Sequence, residues 1–160
     1  MDTRERERTR GGRHGAPGLG LAVLATVGLA DFTLISLRQL GVIRHLPEIP
    51  VRSFDSDHVN TSAQAYTLGI PDGPMGAGLY VAILGLLGGR GSRRPIFDVL
   101  LGAAALAGVG GAAKHLGDMI RVEKKGCTYC LVGAGINFAI AALAMPRLIR
   151  AVGGLARRGR

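Results

Sequence analysis

The sequence predicts an all-α integral membrane protein folded as a four-helix bundle. Two observations carry this. Apolar residues fill 48% of the 160 positions and only 19% are charged. The charges are also segregated, with long stretches almost free of them and the ends crowded. A surface helix of a soluble domain would instead alternate apolar and polar faces. One domain is expected at this length. The net charge of +9 lies beside apolar segments, where anionic headgroups and topology account for it, so nucleic acid is not an expected partner.

Residues 1–17 read as a disordered, basic cytoplasmic tail in which Arg4, Glu5, Arg6, Glu7 and Arg8 alternate in sign. Gly18 to Leu40 is the first apolar segment. Gly28 and Ala30 are small enough to precede a signal-peptide cut, but the acid-bearing tail before them and the apolar run from Phe32 to Leu37 favour a retained helix. Residues 41–72 are mixed and contain Pro47, Pro50 and Pro71, which predicts a loop with a short interfacial helix. Gly73 to Gly89 is a second segment, just long enough to span. Arg90 to Pro95 forms a tight basic turn. Ile96 to Leu116 is the third segment, Gly117 to Gly126 a short charged connection, and Cys127 to Met145 the fourth segment. The membrane domain is therefore expected over residues 18–146, with a second basic tail over 147–160.

Four spans put both termini on one side. Lysine and arginine number thirteen on the side of the termini and seven on the other. That asymmetry places both termini in the cytoplasm of a multi-pass protein of the cell (inner) membrane. The first loop and the start of the fourth segment then face outward, where disulfides persist in bacteria.

Cys127 and Cys130 are the only two cysteines, and they open the fourth segment as Cys127-Thr128-Tyr129-Cys130. Such a pair can close a disulfide and pass two electrons. On a helix, residues three apart share a face, and the positive helix end favours a thiolate at the first sulfur. Cys127 is thereby expected nearer water, with Cys130 one turn deeper. The bland alternative is a pair of small apolar fillers. A zinc site with His115 as third ligand lacks a clear fourth, so no metal is expected.

Two stretches point to one family. One is Val59-Asn60-Thr61-Ser62-Ala63-Gln64-Ala65-Tyr66-Thr67-Leu68-Gly69-Ile70-Pro71, leading into the second segment. The other is Gly126-Cys127-Thr128-Tyr129-Cys130-Leu131-Val132. In this order, with four spans, they resemble the vitamin K epoxide reductase family over Gly18 to Met145. The resemblance implies a membrane enzyme that oxidises thiols and reduces a quinone of menaquinone or ubiquinone type. It implies catalysis by Cys127 and Cys130, and partners that are extracytoplasmic thioredoxin-like or substrate protein thiols. Ser62 matches the family's loop serine. One departure is large: the family's loop cysteine pair is missing, and Ser56 stands where its second member belongs. Replacing Ser56 by Ala is accordingly expected to change turnover little. The same departure keeps an alternative open, a catalytically degenerate relative acting as a membrane subunit or as a quinone- or partner-binding protein.

Several side chains are candidates for supporting roles, each beside a plainer reading. Lys125, with Lys124, could favour the Cys127 thiolate or only anchor the interface. Asp31, midway through the first segment, could serve proton delivery or be a hydrogen-bonded interior acid. His115 could exchange protons with the dithiol, or form a polar cap with Lys114 and Asp118. Asn137 suggests an interhelical hydrogen bond. Gly85 with Gly89, and Gly108 with Ala112, suggest close helix packing. His45 and His58 have no partner visible in the sequence.

Overall fold

In a computed structural model, residues 16–48, 50–67, 69–89 and 94–158 are described. The expected tail up to residue 15 and most of the basic turn, 90–93, lie outside them. The fold is helical: α1 spans Ala16–Gln39, α2 Ser56–Thr61, α3 Asp72–Gly88, α4 Pro95–Asp118 and α5 Thr128–Arg158. A two-residue antiparallel hairpin, β1 (Tyr66–Thr67) with β2 (Ile70–Pro71), precedes α3. Among the described residues, three helical stretches are long and apolar enough to cross a membrane: Pro17–Gln39, Pro95–Glu123 and Thr128–Arg157. The fourth, α3, is a shorter apolar helix of 17 residues, about 26 Å at 1.5 Å per residue. Together α1, α3, α4 and α5 form the helical membrane bundle that the sequence predicts.

Small residues bring these helices together. Gly28 lies against the Tyr80 ring and Gly76 against the Phe32 ring, so closely that a Cβ at either would overlap the ring. Between α4 and α5, Gly102 receives Leu148 and Gly108 receives Asn137. The core between them holds Leu21, Ala25, Tyr80, Ile83, Leu101, Ala105, Ile140 and Ala144. Leu19, Val23, Val27, Val81, Leu100, Leu106 and Phe138 stay exposed, as expected when hydrocarbon is the solvent. The expectation for Gly108 and Ala112 fits this packing. Gly85 instead faces open space, and its carbonyl accepts the Gly89 N–H at 2.9 Å as α3 ends.

Two element ends differ from expectation. The third helical stretch does not stop at Leu116: α4 runs to Asp118 and continues as a π turn, Met119–Glu123. It ends where Lys124 turns left-handed, with φ 51°, so most of the expected connection is helix. Likewise α5 passes Met145 and carries the basic residues as helix to Arg158, with Pro146 inside it. Proline removes one N–H but does not by itself end a helix flanked by good helix formers. Here Arg150 Nε donates to the Pro146 carbonyl at 3.0 Å.

The loop between α1 and α3 is built rather than loose. Gln39 Nε2 donates to the carbonyls of Asn60 (3.1 Å) and Ala65 (3.3 Å), while its Oε1 accepts the Gly73 N–H (2.9 Å). One side chain thus fastens the end of α1 to α2 and to the start of α3. Asp57 accepts from Arg38 Nε (2.6 Å) and the Leu46 N–H (3.1 Å), and lies 2.9 Å from His45 Nδ1. Phe54 and Gly126 pair as a parallel bridge; Gly126 O accepts Asp55 N–H at 2.9 Å and Gly126 N–H donates to Ser53 O at 2.8 Å. His58 Nε2 lies 2.9 Å from Glu123 Oε2. Both histidines without a visible partner in the sequence therefore have one here. The net effect is a cover drawn from the long loop and laid over the start of α5.

Candidate active site

Under that cover Cys127 and Cys130 form a disulfide. Cys127 immediately precedes α5 and caps it. Its carbonyl accepts the Leu131 N–H at 3.0 Å, and its sulfur accepts the Cys130 N–H at 3.1 Å. Ser56 Oγ accepts the Thr128 N–H at 3.0 Å. Two of the helix's orphan N-terminal donors are thus satisfied by a sulfur and a hydroxyl. Glu48 binds both sides of the joint, accepting the Ser56 N–H at 2.7 Å and the Thr128 hydroxyl at 2.5 Å. Tyr129 closes it from outside, its hydroxyl donating to Pro47 O at 2.8 Å.

The expectation that Cys127 lies nearer water is corrected by this arrangement. Cys127 is 0% exposed, packed with Val59 and Met119, whereas Cys130 is half-buried. Hydropathy places the cysteine at a helix mouth, but it carries no information about α2 folding down onto that mouth. Asn60 on α2 reaches both sulfurs. Its Nδ2 donates to Ser56 O (2.8 Å) and to Cys127 Sγ (3.2 Å), and its Oδ1 lies 3.9 Å from Cys130 Sγ.

Cys130 also lines a cavity of about 260 Å³ to which all four bundle helices contribute. Phe32, Ile35, Met75, Leu79 and Ala134 give it apolar walls; Asn60, Asp72, His115 and Asn137 give it polar points. Gly73, Gly76, Gly108 and Gly111 also line it. A cavity of about 150 Å³ holds a benzene ring, so this one accommodates a substituted ring. Apolar walls with a few convergent polar groups are the usual character of a small-molecule site.

The supporting candidates separate into those at this centre and those away from it. His115 is at it, on the cavity wall, with Nε2 3.0 Å from Asp72 Oδ2; Asp72 Oδ1 also accepts from Thr67 Oγ1 at 2.8 Å. Lys114 pairs with Asp118 at 3.0 Å and donates to Gln64 O at 2.9 Å. Asn137 accepts from the Tyr80 hydroxyl at 3.1 Å, which is the expected interhelical bond. Asp31 is buried between α1 and α5 beside Gly133, and its Oδ2 has no hydrogen-bond partner among the described residues. Its neighbour Phe32 lines the cavity; Asp31 does not. Ser62 turns away, its hydroxyl donating to Val59 O at 2.9 Å where α2 ends. Lys125 donates to Arg52 O at 3.3 Å, so its ammonium is turned to the loop backbone.

Electrostatically the loop rests on Asp57. Burial pushes its carboxyl up, but the bonds from Arg38, His45 and the Leu46 amide outweigh that and hold it below the usual carboxylate range. Asn60, Glu48 and Asp72 are the contacts that sequence reasoning missed. For Asn60 a signal existed: it lies four residues after Ser56, so a single helical turn puts both on the face that carries the departure from the family pattern.

A family model described as the vitamin K epoxide reductase family matches residues 19–145, well over half the chain. The chain belongs to that family. No curated protein matches it.

Proposed function

We propose that this member of the vitamin K epoxide reductase family passes electrons from extracytoplasmic protein thiols through Cys127 and Cys130 to a quinone held among the helices. Membership implies a membrane thiol–disulfide oxidoreductase of the quinone-using kind. The finer reading rests on one observation: Cys130 lines the cavity among the helices, while Cys127, three residues earlier, lies beneath the loop cover. On this reading the two cysteines meet two different reaction partners.

In the proposed cycle the loop cover lifts and a partner thiolate attacks Cys127 Sγ. The Cys127–Cys130 bond breaks, Cys130 leaves with the electron pair, and a mixed disulfide with the partner forms. A second partner thiol attacks the partner's own sulfur, expelling Cys127, so the partner becomes a disulfide and the chain a dithiol. A quinone, when bound, supplies a two-electron, two-proton acceptor for closing Cys127–Cys130 again. The cavity fits a quinone ring in size and in its apolar walls, and Asn137 and His115 are the residues that would hold its oxygens. The charge asymmetry of thirteen to seven supports cytoplasmic termini and a cover facing outward.

The test is dithiol-driven quinone reduction by purified protein. Wild type turns over, and Cys127→Ser and Cys130→Ser do not. A wild type without activity would favour the second reading, a degenerate relative that binds a quinone or a protein partner. What supports that alternative is the fully covered Cys127 together with the missing loop cysteines. For orientation, a cysteine introduced at Val42, which is 67% exposed in the loop, should react with a membrane-impermeant reagent in intact cells. Labelling only after permeabilisation would reverse the topology.

A further inference from the structure

We propose that Asn60 sets the protonation of the reduced pair, holding Cys127 as a thiolate and Cys130 as a thiol. The inference rests on the reading that the pair cycles between disulfide and dithiol. It begins with the orientation of one carboxamide. Asn60 is 4% exposed, and one of its ends contacts Ser56 O at 2.8 Å. A backbone carbonyl only accepts, so the end facing it is the NH2 group. The second hydrogen of that NH2 points to Cys127 Sγ at 3.2 Å. The carbonyl end is thereby committed to the side of Cys130, 3.9 Å from its sulfur.

The two sulfurs consequently meet opposite partners. Cys127 Sγ receives two N–H donors, Asn60 Nδ2 and the Cys130 backbone amide at 3.1 Å. The latter belongs to the first turn of α5, whose positive end also favours a negative sulfur. Cys130 Sγ faces an oxygen that can only accept, which favours S–H there. The charged groups around the joint do not reproduce this asymmetry. Glu48, held by Ser56 N and Thr128 Oγ1, places a negative charge beside the pair and works against a thiolate. From the π turn, Glu123 is paired with His58, and Lys125 is turned to Arg52 O. Exposed Lys124 adds a solvated charge at the left-handed turn.

The consequence falls on the resolving step. When the second partner thiol attacks the partner sulfur of the mixed disulfide, the partner–Cys127 bond breaks and its electron pair goes to Cys127 Sγ. A leaving thiolate that is already hydrogen-bonded leaves faster. The resulting state is S⁻ at Cys127 and S–H at Cys130. Closing the disulfide from it releases two electrons and one proton; the second proton that a quinol requires is drawn from water.

The experiment reads thiolate directly, by ultraviolet absorbance of the reduced full-length protein across a pH titration, because Cys127 is too covered for alkylation to be a fair probe. Cys130→Ser should keep the thiolate band near neutral pH and Cys127→Ser should lose it. A band that survives in Cys127→Ser overturns the assignment without any change at Asn60. Asn60→Leu should raise the midpoint by about one pH unit, a roughly tenfold loss of thiolate, as expected for one hydrogen bond to a charged sulfur. Asn60→Asp should raise it further, since a carboxylate cannot donate. An unchanged midpoint in a folded Asn60→Leu protein, checked by its melting as the disulfide, also overturns the proposal. Failure of quinone reduction with these midpoints as expected would count against the proposed cycle and leave the role of Asn60 standing.

Discussion

Ser56 offers the most direct test of how the cover is fastened. Its hydroxyl is 3.0 Å from the Thr128 N–H, and the residue is 1% exposed. In Ser56→Ala the first N–H of α5 loses its acceptor at an almost fully buried position. Loss of a helix N-cap costs about 1 kcal/mol, and a buried donor left unmade costs about 1–3 kcal/mol. Taking about 1.5 kcal/mol, a protein of this size should melt about 3–6 °C lower. The assay is thermal unfolding of the purified, oxidised protein in detergent, followed by circular dichroism. Turnover should fall too, because the cap also fixes the register of Cys127, so the small effect expected from the sequence is revised upward. Ser56→Cys adds the complementary arm. The new thiol would lie against the same N–H, one residue from Cys127; with Cys130 also replaced by Ser, so that Cys127 has no other partner, mild oxidation of the reduced protein should join the two in a disulfide found by mass mapping. An alanine variant that melts with wild type, or a cysteine variant whose new thiol stays free, would refute the clasp.

Three further outcomes follow from the same contacts. Asp57 has its folded pKa below the usual value of 3.8, so the stability it contributes is present above that value and is lost as pH falls through the folded one; protease protection of the loop should hold from pH 7 to about 4 and drop below it, and Asp57→Asn should flatten that acid limb. Tyr80→Phe leaves Asn137 Oδ1 without its 3.1 Å donor and should cost about 1 kcal/mol in unfolding free energy with the bundle intact by circular dichroism. Gly28→Val puts a side chain where the Tyr80 ring stands, and overpacking of that kind should cost about 1–3 kcal/mol, read as a lower melting temperature; Gly85→Val, facing open space, should cost far less.

The bundle was legible because the hydrophobic signal is local: each segment announces itself by its own composition, and α1 and α3 begin and end within about two residues of expectation. The ends of α4 and α5 were not, because a charged or proline-containing stretch reads as a break while neighbouring turns can carry a helix through it. The disulfide pair was legible from spacing alone. Its environment was not. The contacts that decide which sulfur is covered join residues 67 and 72 positions apart, Asn60 to Cys127 and Ser56 to Thr128, and no local pattern encodes such pairings. Lys125 shows how a contact adds to a local reading. Its place two residues before Cys127 suggested an electrostatic role or an interfacial anchor, and the structure adds a bond from its ammonium to Arg52 O just after the left-handed turn at Lys124.

On the resemblance, the covered Cys127 and the missing loop cysteines belong together. There a cysteine would stand in the place of Ser56, and in this chain that place touches the first N–H of α5, one residue from Cys127. A sulfur there is within reach of the redox pair, as a relay requires. An oxygen at the same point cannot carry electrons, but it is a better hydrogen-bond acceptor than sulfur and makes the contact a cap. The surrounding bonds strengthen it: Glu48 grips both Ser56 and Thr128, Tyr129 holds Pro47, and Phe54 pairs with Gly126. Exchange of one atom type would, on the proposed cycle, turn a point of electron transfer into a point of closure. On the proposed cycle a thiol partner then has to open the cover before it can react. The loop's polar clasps, each worth about a kcal/mol or less where solvent reaches them, are of the right size for a cover that stays shut at rest and yields to a docked protein.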